Sequence, residues 1–155
     1  MTFLTCHIYS SLPQLYSTLT LSLSLSFPRL TQALPSLEDI TAFFHFIYSE
    51  SKMESECIII ALIYLERLIK YTRGSLSIQK DNWHSILFAC LILASKVWDD
   101  LSMWNIDFSH VLPTFTLKRI NELELAILDA LNYVVKVTAG EYLSLIHISE
   151  PTRPY

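Results

Sequence analysis

The sequence predicts an all-α fold, a single bundle of five helices over residues 36–143 with an atypical extension at each end. Three observations carry that prediction. From Ser36 onward apolar residues recur at the i, i+3, i+4 spacing of a helix face. Only Gly74 and Gly140 occur among 155 residues, where average usage gives roughly eleven glycines, so the glycine-dependent Rossmann and P-loop architectures are excluded. Hydrophobic residues make up 52% and charged ones 17%, against roughly 25% charged in an ordinary soluble domain. A chain of this length has room for one domain with a real core, and this composition demands burial.

Residues 1–35 stand apart, rich in Ser, Thr and Leu, with Arg29 the first positive charge. Their LSLSLSF run, Leu21 to Phe27, alternates with the period of a strand face. No partner strand is evident and an isolated strand is not stable, so this segment reads as a loosely attached extension or a non-native leader. Ser36, with Asp39 three residues on, has the form of a helix cap before the stripe of Leu37, Ile40, Phe43, Phe44 and Ile47. A second helix is expected from Glu54 to Tyr71, with Gly74 as its stop signal. The run CIIIALIYL covers every direction around that axis, and ILFACLILA does the same in a third helix from Asp81 to Trp98. Both are therefore expected to be enclosed. Asn105 is the expected cap of a short fourth helix reaching Val111 and ended by Pro113. Thr116 caps a fifth, Leu117 to Leu131, with an amphipathic stripe through Ile120, Leu123 and Ile127. Thr138 and Glu141 have the form of one more helix start. Residues 144–155, in the run LSLIHISEPTRPY, resemble a translated cloning adaptor and are read as a non-native tail.

The formal net charge is −4 without any long Lys or Arg run, which removes the electrostatic footprint of a nucleic-acid binder. Cys6, Cys57 and Cys90 are odd in number and far apart, the pattern of free thiols in a reducing, intracellular compartment. No apolar run approaches the roughly 20 residues of a membrane helix, and Met1-Thr2 lacks the glycine needed for N-myristoylation. His7, His45, His84, His110 and His147 have no zinc-helix spacing and no cysteine pair beside them. Asp99, Asp100 and Asp107 lack the glycine turn and closing glutamate of a calcium loop. With no GxSxG elbow and no cysteine in an activating context, neither a catalytic centre, a metal nor a cofactor is expected. A protein partner fits best.

Charges set among apolar residues are the informative ones, because an ionised side chain is almost never fully buried unless paired. Lys96 follows the long apolar run of the third helix, and Glu124 sits at the margin of the stripe on the fifth. They read either as rim charges, or a pair with each other, or as a partner-facing pair on one edge of the domain. Glu66 and Arg67, within YLERL, read as a structural ion pair. Trp83 reads as core. Trp98 and Trp104, flanking the acidic turn, either close the core or contact a partner.

The order YLERL, ASKVWDD, NELELAILDALNY resembles a cyclin box, over roughly Leu37 to Tyr142. The longer strings ECIIIALIYLERLIKYT and LASKVWDDLSMWNIDF are similar to the cyclin Y branch. The resemblance implies a noncatalytic subunit that binds and activates a cyclin-dependent kinase of the PFTAIRE or PCTAIRE type. It also implies a kinase-binding role for Lys96 and Glu124, the positions matching the family's lysine and glutamate, beside the turn of Trp98, Asp99 and Asp100. A cytoplasmic or nuclear location follows, with peripheral membrane association in the full-length family context. Two departures stand out: the first helix has no arginine to pair with Glu66, and no MRAIL-like substrate-docking sequence is present. The alternatives are a cyclin-fold adaptor without kinase activation, or an inactive truncated product.

Overall fold

The computed structural model describes residues 35–73, 76 and 78–149. Six helices follow one another: α1 (Leu37–Ser51), α2 (Ser55–Tyr71), α3 (Trp83–Trp98), α4 (Asn105–Val111), α5 (Leu117–Ala130) and α6 (Ala139–Ser149). The fold is all-α, as the apolar spacing predicts, with one helix more than the five of the expected bundle. The extension 1–34 and Gly74 lie outside the described residues.

Side-chain capping explains where three helices begin. The Ser36 hydroxyl accepts the Asp39 N–H while the Asp39 carboxylate accepts the Ser36 N–H, at 3.1 and 3.0 Å, satisfying two donors that a helix start leaves orphaned. Thr116 Oγ1 accepts the Arg119 N–H at the start of α5. Thr138 and Glu141 form the same reciprocal box before α6. That last helix runs on to Ser149, across the boundary at residue 143 expected from sequence. Asn105 is not a cap: the extended residue before α4 is Trp104, whose N–H is accepted by Asp107. Asn105 is the first helical residue, and its amide is used elsewhere.

Helix α3 is the axis of the bundle. From Ser85 to Ser95 every residue is buried, and α2 and α5 pack along it while α4 lies across α5. Phe88 of α3 meets Phe108 edge-on at 6.1 Å and Phe115 at 4.8 Å between ring centroids. Helix α2 is enclosed on most of its sides, as its apolar run predicts, with one side left open. Cys57, Ile60, Tyr64 and Leu68 are buried against α3, but Leu62, Ile69 and Tyr71 are exposed. An apolar residue on every side permits enclosure without enforcing it. The neighbours of α2, namely α3, α5 and α6, leave one side open. Trp83 is buried as expected, with the Phe43 ring of α1 edge-on to it at 5.4 Å.

After α5 the chain reverses without glycine. Asn132 and Tyr133 both take left-handed backbone angles, φ 51° and 59°, and the Tyr133 N–H closes back onto the Leu128 carbonyl at 2.9 Å. The reversal sends residues 134–137 past α2. There Arg67 donates to the Val134 and Lys136 carbonyls at 2.9 and 3.0 Å, and Tyr64 Oη donates to the Val135 carbonyl at 2.7 Å.

Candidate functional site

Two charged clusters stand out, and they differ in direction. The first lies where the last turn of α3 meets α5. Lys96 Nζ donates to both oxygens of Glu124, at 2.6 Å to Oε1 and 2.8 Å to Oε2. Both side chains are partly covered, 27% and 18% exposed. Lys96 is held there by the buried run that precedes it on α3 and by its place near that helix's C-terminus, where the backbone dipole favours a cation. Glu124 follows the buried Leu123 on α5, which directs its carboxylate to the rim.

The pair is extended by two residues that sequence reasoning did not assign to it. Asn105 Nδ2 donates to Glu124 Oε2 at 2.7 Å and to Asn121 Oδ1 at 2.7 Å. Asn121 lies three residues before Glu124 on α5, the spacing that puts two side chains on one helix face. The signal for Asn105 was hidden because asparagine near a helix start reads as a cap. Exposed apolar side chains occupy the neighbouring chain: Val97, Trp98, Leu101, Trp104 and Ile106, with Leu101 95% and Trp104 78% exposed. Leu125 beside Glu124 is exposed as well. The arrangement is a small polar plate amid apolar projections, the composition of a protein-binding surface.

The turn after α3 divides its residues. Asp99 points inward: it accepts from the Ser95 hydroxyl, the Glu54 N–H at 3.2 Å and the Cys57 thiol at 3.1 Å. It thereby caps the end of α3 and ties it to the start of α2. Burial and the Asp99 carboxylate push the Cys57 thiol well above its ordinary range. Trp98 is half-exposed; its Nε1 donates to Glu54 Oε2 at 3.1 Å, and its ring stacks on Tyr142 of α6 at 6.5 Å. Asp100 is exposed and makes no hydrogen bond or ion pair among the described residues. A cleft of about 190 Å³ opens beside this turn, bordered by Lys52, Glu54, Asp99 and Met103 among others.

The second cluster corrects a sequence expectation. Glu66 and Arg67 do not pair with each other. Consecutive residues on a helix point about 100° apart, so they cannot face one another. Glu66 instead pairs with Lys70, one turn on, at 2.7 Å on the exposed surface. Arg67 is buried and donates to Glu141 Oε1 at 2.8 Å in addition to the two carbonyls already described. The hydrogen bond from Arg67, followed by those from the Thr138 N–H and hydroxyl, draws the Glu141 carboxyl down to about 2. This cluster fastens α6 to α2.

Cys90 is fully buried and its thiol is pushed up to about 12, so it is held protonated. Among the described residues no three His, Cys, Asp or Glu side chains converge as metal ligands, and no helix is long and apolar enough to cross a membrane.

Residues 35–136 match the family model described as the cyclin N-terminal domain. The match covers α1 through α5 and the turn after them, about two-thirds of the chain, and it contains Lys96, Glu124, Asn105 and Arg67. The cyclin N-terminal domain is a regulatory fold, with a protein kinase as the partner implied by the family in general. The chain belongs to the cyclin family.

Proposed function

We propose that this chain is a regulatory subunit of the cyclin Y type, which binds and activates a cyclin-dependent kinase of the PFTAIRE or PCTAIRE class. One observation carries the reading: Lys96 and Glu124 are joined at the rim of the bundle, in the segment that also projects Leu101 and Trp104 into solvent. Desolvating two charges offsets much of the attraction in a partly covered pair of this kind, so stability alone is a weak reason for it. A partner that covers it and the surrounding apolar side chains supplies a stronger one. Trp98 lies on another side of the last turn of α3, against Glu54 and Tyr142, and Asp99 shapes the turn from within.

Activation here is differential binding. The plate and its apolar surround favour the kinase state whose mobile helix is swung inward, where the kinase's own lysine and glutamate pair and position ATP. No atom of this chain touches substrate. The buried thiols of Cys57 and Cys90, neither of them in a disulfide, fit the reducing interior of a cell, cytoplasmic or nuclear, as the working location.

The test mixes the full chain with a panel of PFTAIRE- and PCTAIRE-type kinases and records complex formation and kinase activity, beside Lys96→Ala and Glu124→Ala. Binding with raised activity, lost in both variants, is the expected result. Binding without activation replaces the reading by that of an adaptor. A soluble, folded chain that binds none of the kinases overturns it.

A further inference from the structure

We propose that Asn105 is a positioning residue of the kinase-binding face, acting through Glu124; the inference rests on the kinase-subunit reading above. The geometry that carries it is a chain of four side chains from three helices. Lys96 of α3 donates to both Glu124 oxygens, but Asn105 of α4 adds a second donor to Oε2 alone. Oε2 is thereby held from two sides, whereas among the described residues Oε1 accepts from Lys96 alone. The unfilled acceptor capacity of the carboxylate is therefore concentrated on Oε1. Asn105 decides which oxygen remains open to a partner's N–H.

The same amide sets the next residue. Because Asn105 Nδ2 donates to Asn121 Oδ1, the carboxamide of Asn121 is fixed with its oxygen inward. Its two N–H donors turn away from Asn105, on an exposed side chain. One asparagine thus orients an acceptor and a donor on the same rim. That pattern complements exposed backbone amides and carbonyls of a partner segment.

Asn105 holds this arrangement at a cost. Its own Oδ1 is buried and has no hydrogen-bond partner, and a buried unmet acceptor is destabilising. A residue chosen only to begin α4 would not need to reach across to α5. The cost is consistent with a side chain kept for the orientation of Glu124.

The experiment is a double-mutant cycle on the affinity of the full chain for a PFTAIRE-type kinase, with thermal melting recorded for each variant. Asn105→Ala removes the donor, and Asn105→Asp keeps the shape but places an acceptor against Glu124. The expected loss for Asn105→Ala is about tenfold to a hundredfold, the range for one hydrogen bond to a charged group, and Asn105→Asp loses at least as much. In a Glu124→Ala background Asn105→Ala costs no further affinity, because it acts through the missing carboxylate. A merely structural role would instead lower affinity to the same degree in both backgrounds, which overturns the inference. So does wild-type affinity in both Asn105 variants while Lys96→Ala and Glu124→Ala lose binding. If those two reference variants bind normally, the kinase-subunit reading itself has failed.

Discussion

Arg67 and Lys96 each anchor an ion pair across a long stretch of chain, 74 and 28 residues, yet one faces into the molecule and the other out. Arg67 is 8% exposed, and its guanidinium is shared among two backbone carbonyls and Glu141. Those carbonyls belong to an irregular segment that no helix partner satisfies, so the arginine does work that a neutral residue of the same size would leave undone. Lys96 meets one carboxylate, at a rim crowded with exposed apolar side chains. An inward cluster that satisfies buried backbone carbonyls stabilises a fold. An open one with spare capacity is available to a partner.

The comparison breaks most visibly if both clusters respond alike to truncation. Removing one member of a desolvated interfacial charge pair costs about 2–5 kcal/mol of binding. Lys96→Ala and Glu124→Ala are therefore expected to weaken kinase binding by about thirtyfold to a few thousandfold in a titration carried to high concentration, while lowering folding stability by about 1 kcal/mol. Arg67→Ala is expected to do the reverse. It leaves two carbonyls unmet and costs about 2–3 kcal/mol in urea denaturation, with kinase affinity of the folded fraction retained. Equal losses of stability in all three variants would erase the distinction between the clusters.

How much of this was legible beforehand depends on the range of each interaction. The caps at Ser36, Thr116 and Thr138 were readable because a helix start is decided within four residues. Lys96 and Glu124 were readable as misplaced charges, since a charge amid apolar residues implies a partner of some kind. Their mutual pairing was one of the alternatives left open. The pairing of Glu66 was misread as one with Arg67, although a glutamate four residues before a lysine is a favoured arrangement on a helix face and adjacency counts against contact. Nothing local couples Arg67 to Glu141, because the glycine-free reversal at Asn132 and Tyr133 determines where residues 134–141 pass. The role of Asn105 was hidden by a one-residue displacement of the helix start, which moved its amide from the backbone of α4 to the side chains of α5.

A smaller effect sharpens the account of the closed cluster through pH. The Glu141 carboxyl is lowered from 4.5 to about 2, first by the hydrogen bond from Arg67 and then by those from Thr138. A depressed folded-state value means that its stabilisation is fully present above pH 4.5 and is lost as pH falls toward 2. Because the Glu141 side chain is 44% exposed, solvent screening keeps this contribution modest. The difference in melting temperature between wild type and Glu141→Gln is expected to narrow on acidification through that window. A constant difference from neutral pH down to about pH 2 would show that the carboxylate charge is not what Arg67 holds.

The smallest expected effect concerns Asp99, which the sequence groups with the kinase-facing turn and the structure directs toward Ser95, Glu54 and Cys57. Asp99→Asn retains one carbonyl-type oxygen, enough to accept from the Glu54 N–H and the Cys57 thiol. The amide that replaces the second oxygen can in turn donate to the Ser95 hydroxyl, which rotates to accept it. Loss of the charge at the start of α2 then weakens folding by about 0.5–1 kcal/mol, within the range for a favourable helix-dipole contact. Kinase affinity is expected to stay within about twofold of wild type, since less than half a kcal/mol separates such values. Stability and affinity measured on the same Asp99→Asn protein decide which cluster this residue belongs to. An affinity loss without a stability loss would move Asp99 to the outward face and extend that face past the end of α3, whereas the reverse leaves the turn as part of the scaffold that presents Lys96.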